Sequence, residues 1–529
     1  MKFNKRIIIT GLFLVVFLMV GLCLPVLAST PKQGGRLIIG VTIDIVGLDP
    51  HKIGVANEPS YYIFEGLVRR MPDNTFGPAL ATDWEWISDT KIRFKLREGV
   101  KFHTGTPFNA EVVKWNIDRY TDPNDPGVPY AHVGNLITDV IIEDEYTVVI
   151  ELAYPNAVFI AMAACEEGLP MRDPKAVEEF GEDFTNHPSG TGPFKLKEWI
   201  KRKYVLLERN DDWWGKAPYL NEIRFDTIRD TETRGMALEA GMIDLFFDPT
   251  ISQIERFKDD PDYRVVSIAG DRIVKLDFNY DVPIWQNRNM RKAINLAIDR
   301  KAITETMGPL AEPVDSMITS TNWGYFPQGW VNDYDPDKAL QLLAEEGWER
   351  GTDNFLYKDG NKLKVSIGVP GARDPRNPQT AQMLAEYLRE IGIDATINNM
   401  EMGIFWAGLN QPERPHDIFF QSWGTIFLEP THGLYGNYHG ENKSPQGLNH
   451  SRRSGGIVDV LMKAEFQMAR WLEARLKVLD AIQNIFYEEA IAIPLYGLNR
   501  TWVMRSEVKG FVPLPVHNQY LFIDTWLDR

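Results

Sequence analysis

Residues 94–113 read Phe-Lys-Leu-Arg-Glu-Gly-Val-Lys-Phe-His-Thr-Gly-Thr-Pro-Phe-Asn-Ala-Glu-Val-Val. Just upstream and into this stretch, Lys91 to Leu96 alternates charged with apolar positions, which predicts a half-buried strand. Gly99 and Gly105 supply turns. Asn109 or Ala110 then caps a helix running to Tyr120, with Val112, Val113 and Ile117 on its apolar face. A Pro/Asp/Gly loop fills 121–129, and Ile137 to Leu152 returns to strands around an Asp144-Glu145 turn. With Tyr61 to Arg70 read as a helix, 61–185 forms a mixed α/β subdomain.

The same alternation extends in both directions. Gly34-Gly35 opens into the β-branched run Arg36–Val41, a strand. Residues 192–228 are strand-rich and Thr231 to Ala240 is helical, while a strand at Ile273 to Asn279 begins a new unit and leads to a helix from Arg291 to Ile303. Helix 336–346, strand 363–369, helix 378–391 and strand 393–398 follow. A long helix over 457–490 is ended by Pro494 before a last strand, Leu495 to Met504. Strands alternating with helices of this length predict βαβ units around a partly parallel sheet.

The N-terminus indicates where the protein works. Lys2, Lys5 and Arg6 precede an apolar run from Ile7 to about Leu24, then Pro25 and the small-residue pattern Val26-Leu27-Ala28. That order is a secretory signal, with cleavage expected after Ala28. An uncleaved anchor is the competing reading, because the run approaches the roughly 20 residues that span a bilayer. Cleavage would leave 501 residues and move the formal charge from −16 to −19, because three cations depart with the leader. Leu22 before Cys23 disfavours a lipid anchor, and Cys165, alone in the mature chain, has no intrachain disulfide partner. The acidic balance argues against nucleic acid and anionic membrane as partners. Most of the 61 aromatic rings are expected in the core.

Enzyme signatures are missing: no Gly-x-Ser-x-Gly elbow, no His-Glu-x-x-His pair, no Walker loop. Ser189-Gly190-Thr191-Gly192-Pro193-Phe194 has Lys195 where a dinucleotide fingerprint needs its third glycine, so it reads as a turn entering a strand. Asp211-Asp212 and Glu488-Glu489 have the composition of glycosidase carboxylates, but in so acidic a chain they read as solvated pairs. His416, His432, His439 and His450 fall close together without a compact metal spacing, in what reads as a long exposed loop. Neither a cofactor nor a bound metal is expected.

Several blocks, in order, resemble the extracytoplasmic solute-binding proteins of the peptide/nickel (family 5) ABC importers. They are Glu65-Gly66-Leu67-Val68, Pro78 to Trp84, the 94–113 stretch (with Thr104 where Asp is usual), Ser189 to Phe194, Glu208-Arg209-Asn210 with Trp213-Trp214, and Ala240 to Asp244. Phe278-Asn279, Met290 to Arg300, Tyr334-Asp335-Pro336 with Ala339, Ile391 to Asp394 and Ile493 to Tyr496 complete the series, which spans 34–515.

The resemblance implies an α/β, two-lobed periplasmic binding protein of the class II type with an additional subdomain and a ligand cleft between the lobes. After the leader (1–28), lobe I would be discontinuous (29–60, 187–270 and 492–529), the extra subdomain would be 61–186, and lobe II 271–491. Hinge closure on a peptide-like or other small solute, delivery to a membrane permease, a monomeric state and a periplasmic or cell-surface location come with it. The alternatives are a nickel-chelate or haem-type receptor and, from another class, a secreted hydrolase.

By position within the family, the cleft would take Trp423, which stacks on or covers the ligand, together with Tyr496, Met402 and the His51–Asn57 loop, Asn57 above all. Tyr130 and His132 would join them at the rim. In peptide-binding members an Asp three residues after the Trp pairs with the ligand's ammonium, and here Ile426 stands there. Glu401 and Glu429 are the carboxylates expected to substitute, or else the ligand has no free amine at that point.

Overall fold

Asn109 adopts extended backbone and its side chain accepts from Val112 N at 3.1 Å, which starts the helix Ala110–Thr121. That helix lies on a four-stranded antiparallel sheet in the order Ala81–Trp86, Lys91–Leu96, Thr147–Leu152, Ile137–Asp144. Phe94, Val113, Ile117 and Ile150 are fully buried between them. The computed structural model describes residues 30–52, 58–71, 73, 75–122, 135–164, 169–371, 376–424, 429–516 and 520–529, with only the backbone at 520 and 521. The leader with Cys23, and also Cys165, Asn57, Tyr130, His132 and Ile426, lie outside them. No helix of the described residues is long and apolar enough to cross a membrane.

Two long strands, Tyr263–Phe278 and Ala492–Arg505, run antiparallel through the middle of the largest sheet and belong to both lobes. On one side the sheet continues through Leu245–Phe247, Arg36–Val41, Glu222–Thr227, Tyr204–Arg209 and Phe194–Ile200. On the other side it continues through Ile418–Gly424, Lys364–Pro370 and Asp394–Met400. The register Tyr263↔Arg505 to Ala269↔Asn499 serves the first lobe, and Arg272↔Leu498 to Asp277↔Ala492 the second. Between Ala269 and Arg272 the register slips. A bulge there adds twist and bend at the point where the chain changes lobes.

Four sequence expectations are corrected. Tyr61 to Arg70 is helical only over Ser60–Ile63 and then becomes the strand Val68–Arg70, because Gly66 lies so close to the Ala163 carbonyl that a Cβ would sit 2.6 Å from its oxygen. The strand expected from Ile273 begins ten residues earlier, at Tyr263. Asp299 caps a fresh helix by accepting from Ala302 N, so 291–303 divides into Arg288–Leu296 and Arg300–Met307. The 457–490 helix likewise divides into Ile457–Gln467 and Leu472–Glu489, and Pro494 lies inside the last strand rather than before it.

Glu65 joins the extra subdomain to the first lobe. Its buried carboxylate accepts from Thr191 Oγ1 and Trp214 Nε1, both at 2.9 Å, and from Trp213 Nε1 at 3.4 Å. Burial raises its pKa to about 7 against these donors and the Arg69 charge. Because the folded value lies above the unfolded one, near 4.5, the stability linked to this group is fully present below pH 4.5 and lost as pH rises through 7. Glu65→Gln removes that loss. Relative to wild type it gains up to about 3 kcal/mol between pH 5 and pH 8 in chemical denaturation; parallel pH profiles would contradict this role.

Candidate functional site

The crossing strands carry the chain from one lobe into the other. On the lobe II side, Trp423 and Gly424 end the strand Ile418–Gly424, opposite Ile273 and Arg272. Trp423 is half-buried and its ring lies parallel to His432, with centroids 5.7 Å apart and an interplanar angle of 13°. His432 is held by the helix Pro430–Tyr438. Among the described residues the buried Trp423 Nε1 finds no acceptor. A half-covered indole suits a flat ligand face.

Next to it, the bulge brings in a carboxylate that the sequence did not reveal. Asp271 Oδ2 would lie 2.7 Å from a Cβ at 424, so glycine there lets the carboxylate keep its place. Burial raises the Asp271 pKa despite the nearby Arg272 and Arg500. Glu312, on the short strand Ala311–Glu312 opposite Gly497, and Glu58 on the lobe I side are raised by burial too. Nothing in the sequence marks Asp271, because its place depends on the register slip.

The other expected residues are dispersed. Tyr496 is fully buried in the lobe II core, opposite Val274. Met402, half-buried, begins the helix Met402–Leu409 on the outer side of the sheet order, beyond Asp394–Met400. His51 is buried against Tyr120, with ring centroids 3.7 Å apart, and burial, then the Arg172 charge, hold its pKa well below the usual imidazole value. Beside it Arg172 Nη1 donates to both Asp49 oxygens at 2.9 and 3.0 Å. The start of the His51–Asn57 loop is therefore a packed joint.

Neither substitute carboxylate is idle. Exposed Glu401 caps its helix by accepting from Ile404 N at 3.2 Å. Glu429 is buried and paired with Arg475 at 2.7 Å. The histidines also differ from expectation: His416, His439 and His450 are 4, 5 and 9% exposed, so this segment is interior rather than an exposed loop. Its polar groups are used within the fold, as where Asn449 Nδ2 donates to the His439 and Arg453 carbonyls. Among the described residues no three His, Cys, Asp or Glu side chains converge as a metal set. Glu488 and Glu489 pair with Arg288, and Asp211 with Arg209.

Two α/β lobes joined by two strands, with an indole and a desolvated carboxylate at the crossing, define a solute receptor of the two-lobed periplasmic type. The profile described as "Bacterial extracellular solute-binding proteins, family 5 Middle" matches residues 75–445, and the chain belongs to that family. It is 26% identical over 507 residues to the glutathione-binding protein GsiB of Escherichia coli O157:H7, covering 94% of this chain and 95% of the relative. DppA of Helicobacter pylori, solved with the peptide STSA, superposes with a TM-score of 0.74 at 25% identity, over 94% of this chain and 99% of that one. NikA of Brucella suis, solved with Fe(III)-EDTA, gives 0.80 at 25% identity, over 93% and 100%. The family's members are substrate-binding components of ABC importers that work outside the cytoplasm; they are transport receptors, not hydrolases.

Gly424→Ala tests the packing at the crossing. Its Cβ would displace Asp271 Oδ2 and press on Arg272 Cγ at 3.0 Å, a cost of about 1–3 kcal/mol in denaturant unfolding. Gly436→Ala, in the helix Pro430–Tyr438 with nothing nearer than 3.9 Å, is neutral or stabilising by up to about 1 kcal/mol. Equal effects at the two glycines would contradict the assignment.

Proposed function

We propose that this receptor captures a peptide-like or other small solute in the interlobe cleft and passes it to a membrane permease as a monomer. Its leader is removed after Ala28. Lobe I is drawn from 29–60, 187–270 and 499–529 and lobe II from 271–498, because 492–498 pair and pack within the second lobe rather than the first as expected, and 61–186 packs on lobe I. The contact set is Trp423, Met402, Asn57, Tyr130, His132 and Ile426, and Trp423 supplies the stacking surface; Tyr496, fully buried in the lobe II core, is left out of it. The observation that carries this is the half-covered Trp423 indole beside the strand crossing, stacked on His432.

The printed ligands of the relatives, glutathione, peptides and a metal chelate, set the panel to try. With Ile426 in place of the ammonium-reading Asp, a ligand without a free amine at that point is favoured over an unmodified peptide anchored there.

Thermal unfolding in the presence of reduced glutathione, the tetrapeptide Ser-Thr-Ser-Ala and Fe(III)-EDTA tests the reading. A ligand at one hundred times its Kd stabilises by about 2.7 kcal/mol, visible as a raised melting temperature, and is recovered unchanged. Trp423→Ala weakens that ligand at least tenfold. Conversion of the solute to product, or a shift untouched by Trp423→Ala, would overturn the proposal.

A further inference from the structure

Far along the chain from the crossing strands, the lobes touch again. Ala157, in the turn before the helix Phe159–Ala163 of the extra subdomain, donates its N–H to the Phe466 carbonyl of lobe II at 2.9 Å. The Ala157 carbonyl accepts from Arg475 Nη1 at 3.4 Å. The Phe466 ring packs against the subdomain core, 6.2 Å from Tyr154 and stacked at 4.7 Å on Tyr435. At the rim Arg470 pairs with Asp89 at 3.3 Å, an exposed contact of little weight.

The guanidinium that reaches across is itself held on three sides. Arg475 Nε donates to Glu465 at 2.8 Å, and Nη2 to Glu429 at 2.7 Å and to Thr431 Oγ1 at 2.8 Å. Thr431 Oγ1 in turn donates to Glu465 at 2.7 Å. All four side chains are buried, and two carboxylates enclose one guanidinium. Burial raises the Glu465 pKa against the Arg475 charge, and Glu429 adds to the rise. Such a cluster is no more stabilising than apolar packing of the same volume. What it supplies is direction: one rigid donor points out of lobe II at the other lobe. Glu429 also caps the helix Pro430–Tyr438, whose His432 lies against Trp423.

We infer that Arg475 is a positioning residue of the receptor, clasping the Ala157–Phe466 seam between the lobes while fixing the helix that backs Trp423. It acts on the ligand only through these two structures. Closure of the lobes and alignment of the indole are thereby one event, and Arg475→Lys, which keeps the charge but has only three N–H donors for the four acceptors Glu465, Glu429, Thr431 and the Ala157 carbonyl, uncouples them. The inference rests on the reading of the cleft as the ligand site only for its link to Trp423.

Disulfide trapping reads the clasp without any ligand. The Ala157–Phe466 backbone bond brings the two Cα atoms within the roughly 4–7 Å span of a disulfide. Ala157→Cys with Phe466→Cys, in a Cys165→Ser chain expressed from Ser29, forms the bond on mild oxidation. Adding Arg475→Lys slows trapping at least fivefold and speeds release of whichever panel solute binds, with far-ultraviolet circular dichroism unchanged. Thr431→Val, which loosens the guanidinium's seat without removing charge, slows trapping in the same direction and carries the test if Arg475→Lys folds poorly. No trapping in the parent pair, or trapping at the parent rate in either variant, overturns the inference. Trapping without any panel solute bound would instead count against the solutes proposed for the cleft.

Discussion

Everything in this molecule is arranged around two adjacent strands that must stay hydrogen-bonded while changing lobes. Tyr263–Phe278 and Ala492–Arg505 keep their ladder on both sides of the crossing. The slip between Ala269 and Arg272 lets them bend without leaving a long unpaired run. Thr321 Oγ1 donates to the Gly270 carbonyl at 3.1 Å, within the slip itself. A Cβ at 270 would lie 2.4 Å from the Leu498 oxygen, so the two backbones approach here as only glycine allows. The bend also presents Asp271 beside Trp423-Gly424, so the device that permits movement shapes the site.

Away from the crossing, buried charges mark the places where independent cores meet. Asp49–Arg172 and Glu65 with its two indoles tie the extra subdomain to lobe I. Lys275 Nζ, inside lobe II, reaches Asp277, Gln421 and Tyr438 at 2.5–2.6 Å and ties three elements together. The Glu429–Arg475–Glu465 group faces the interlobe seam. Each set joins partners from different segments, which fixes relative placement more than it adds net stability.

The sequence was legible where one physical signal dominated. Alternation exposed Lys91–Leu96, and a capping Asn with a single apolar face exposed Ala110–Thr121. It was misleading where apolar spacing ran on without a visible stop, as across Met468–Trp471, where the chain turns between two helices. Residues 61–68 are buried on every side, so periodicity there reported burial rather than helix. The first half of Tyr263–Phe278 carries no clean alternation because it is half-buried at the crossing. Of the expected contacts, Trp423 lies where the lobes cross, Tyr496 is interior, and four fall outside the described residues. Asp271 and Arg475 stayed hidden because their roles come from contacts over long sequence separations.

A receptor of this build holds one solute between its lobes and releases it unaltered. Native mass spectrometry of the protein purified from its own export compartment tests this most directly. The expected result is a single adduct per chain, displaced intact on denaturation and lost in Trp423→Ala. Release of a chemically altered solute, or an adduct that persists unchanged in Trp423→Ala, would contradict it.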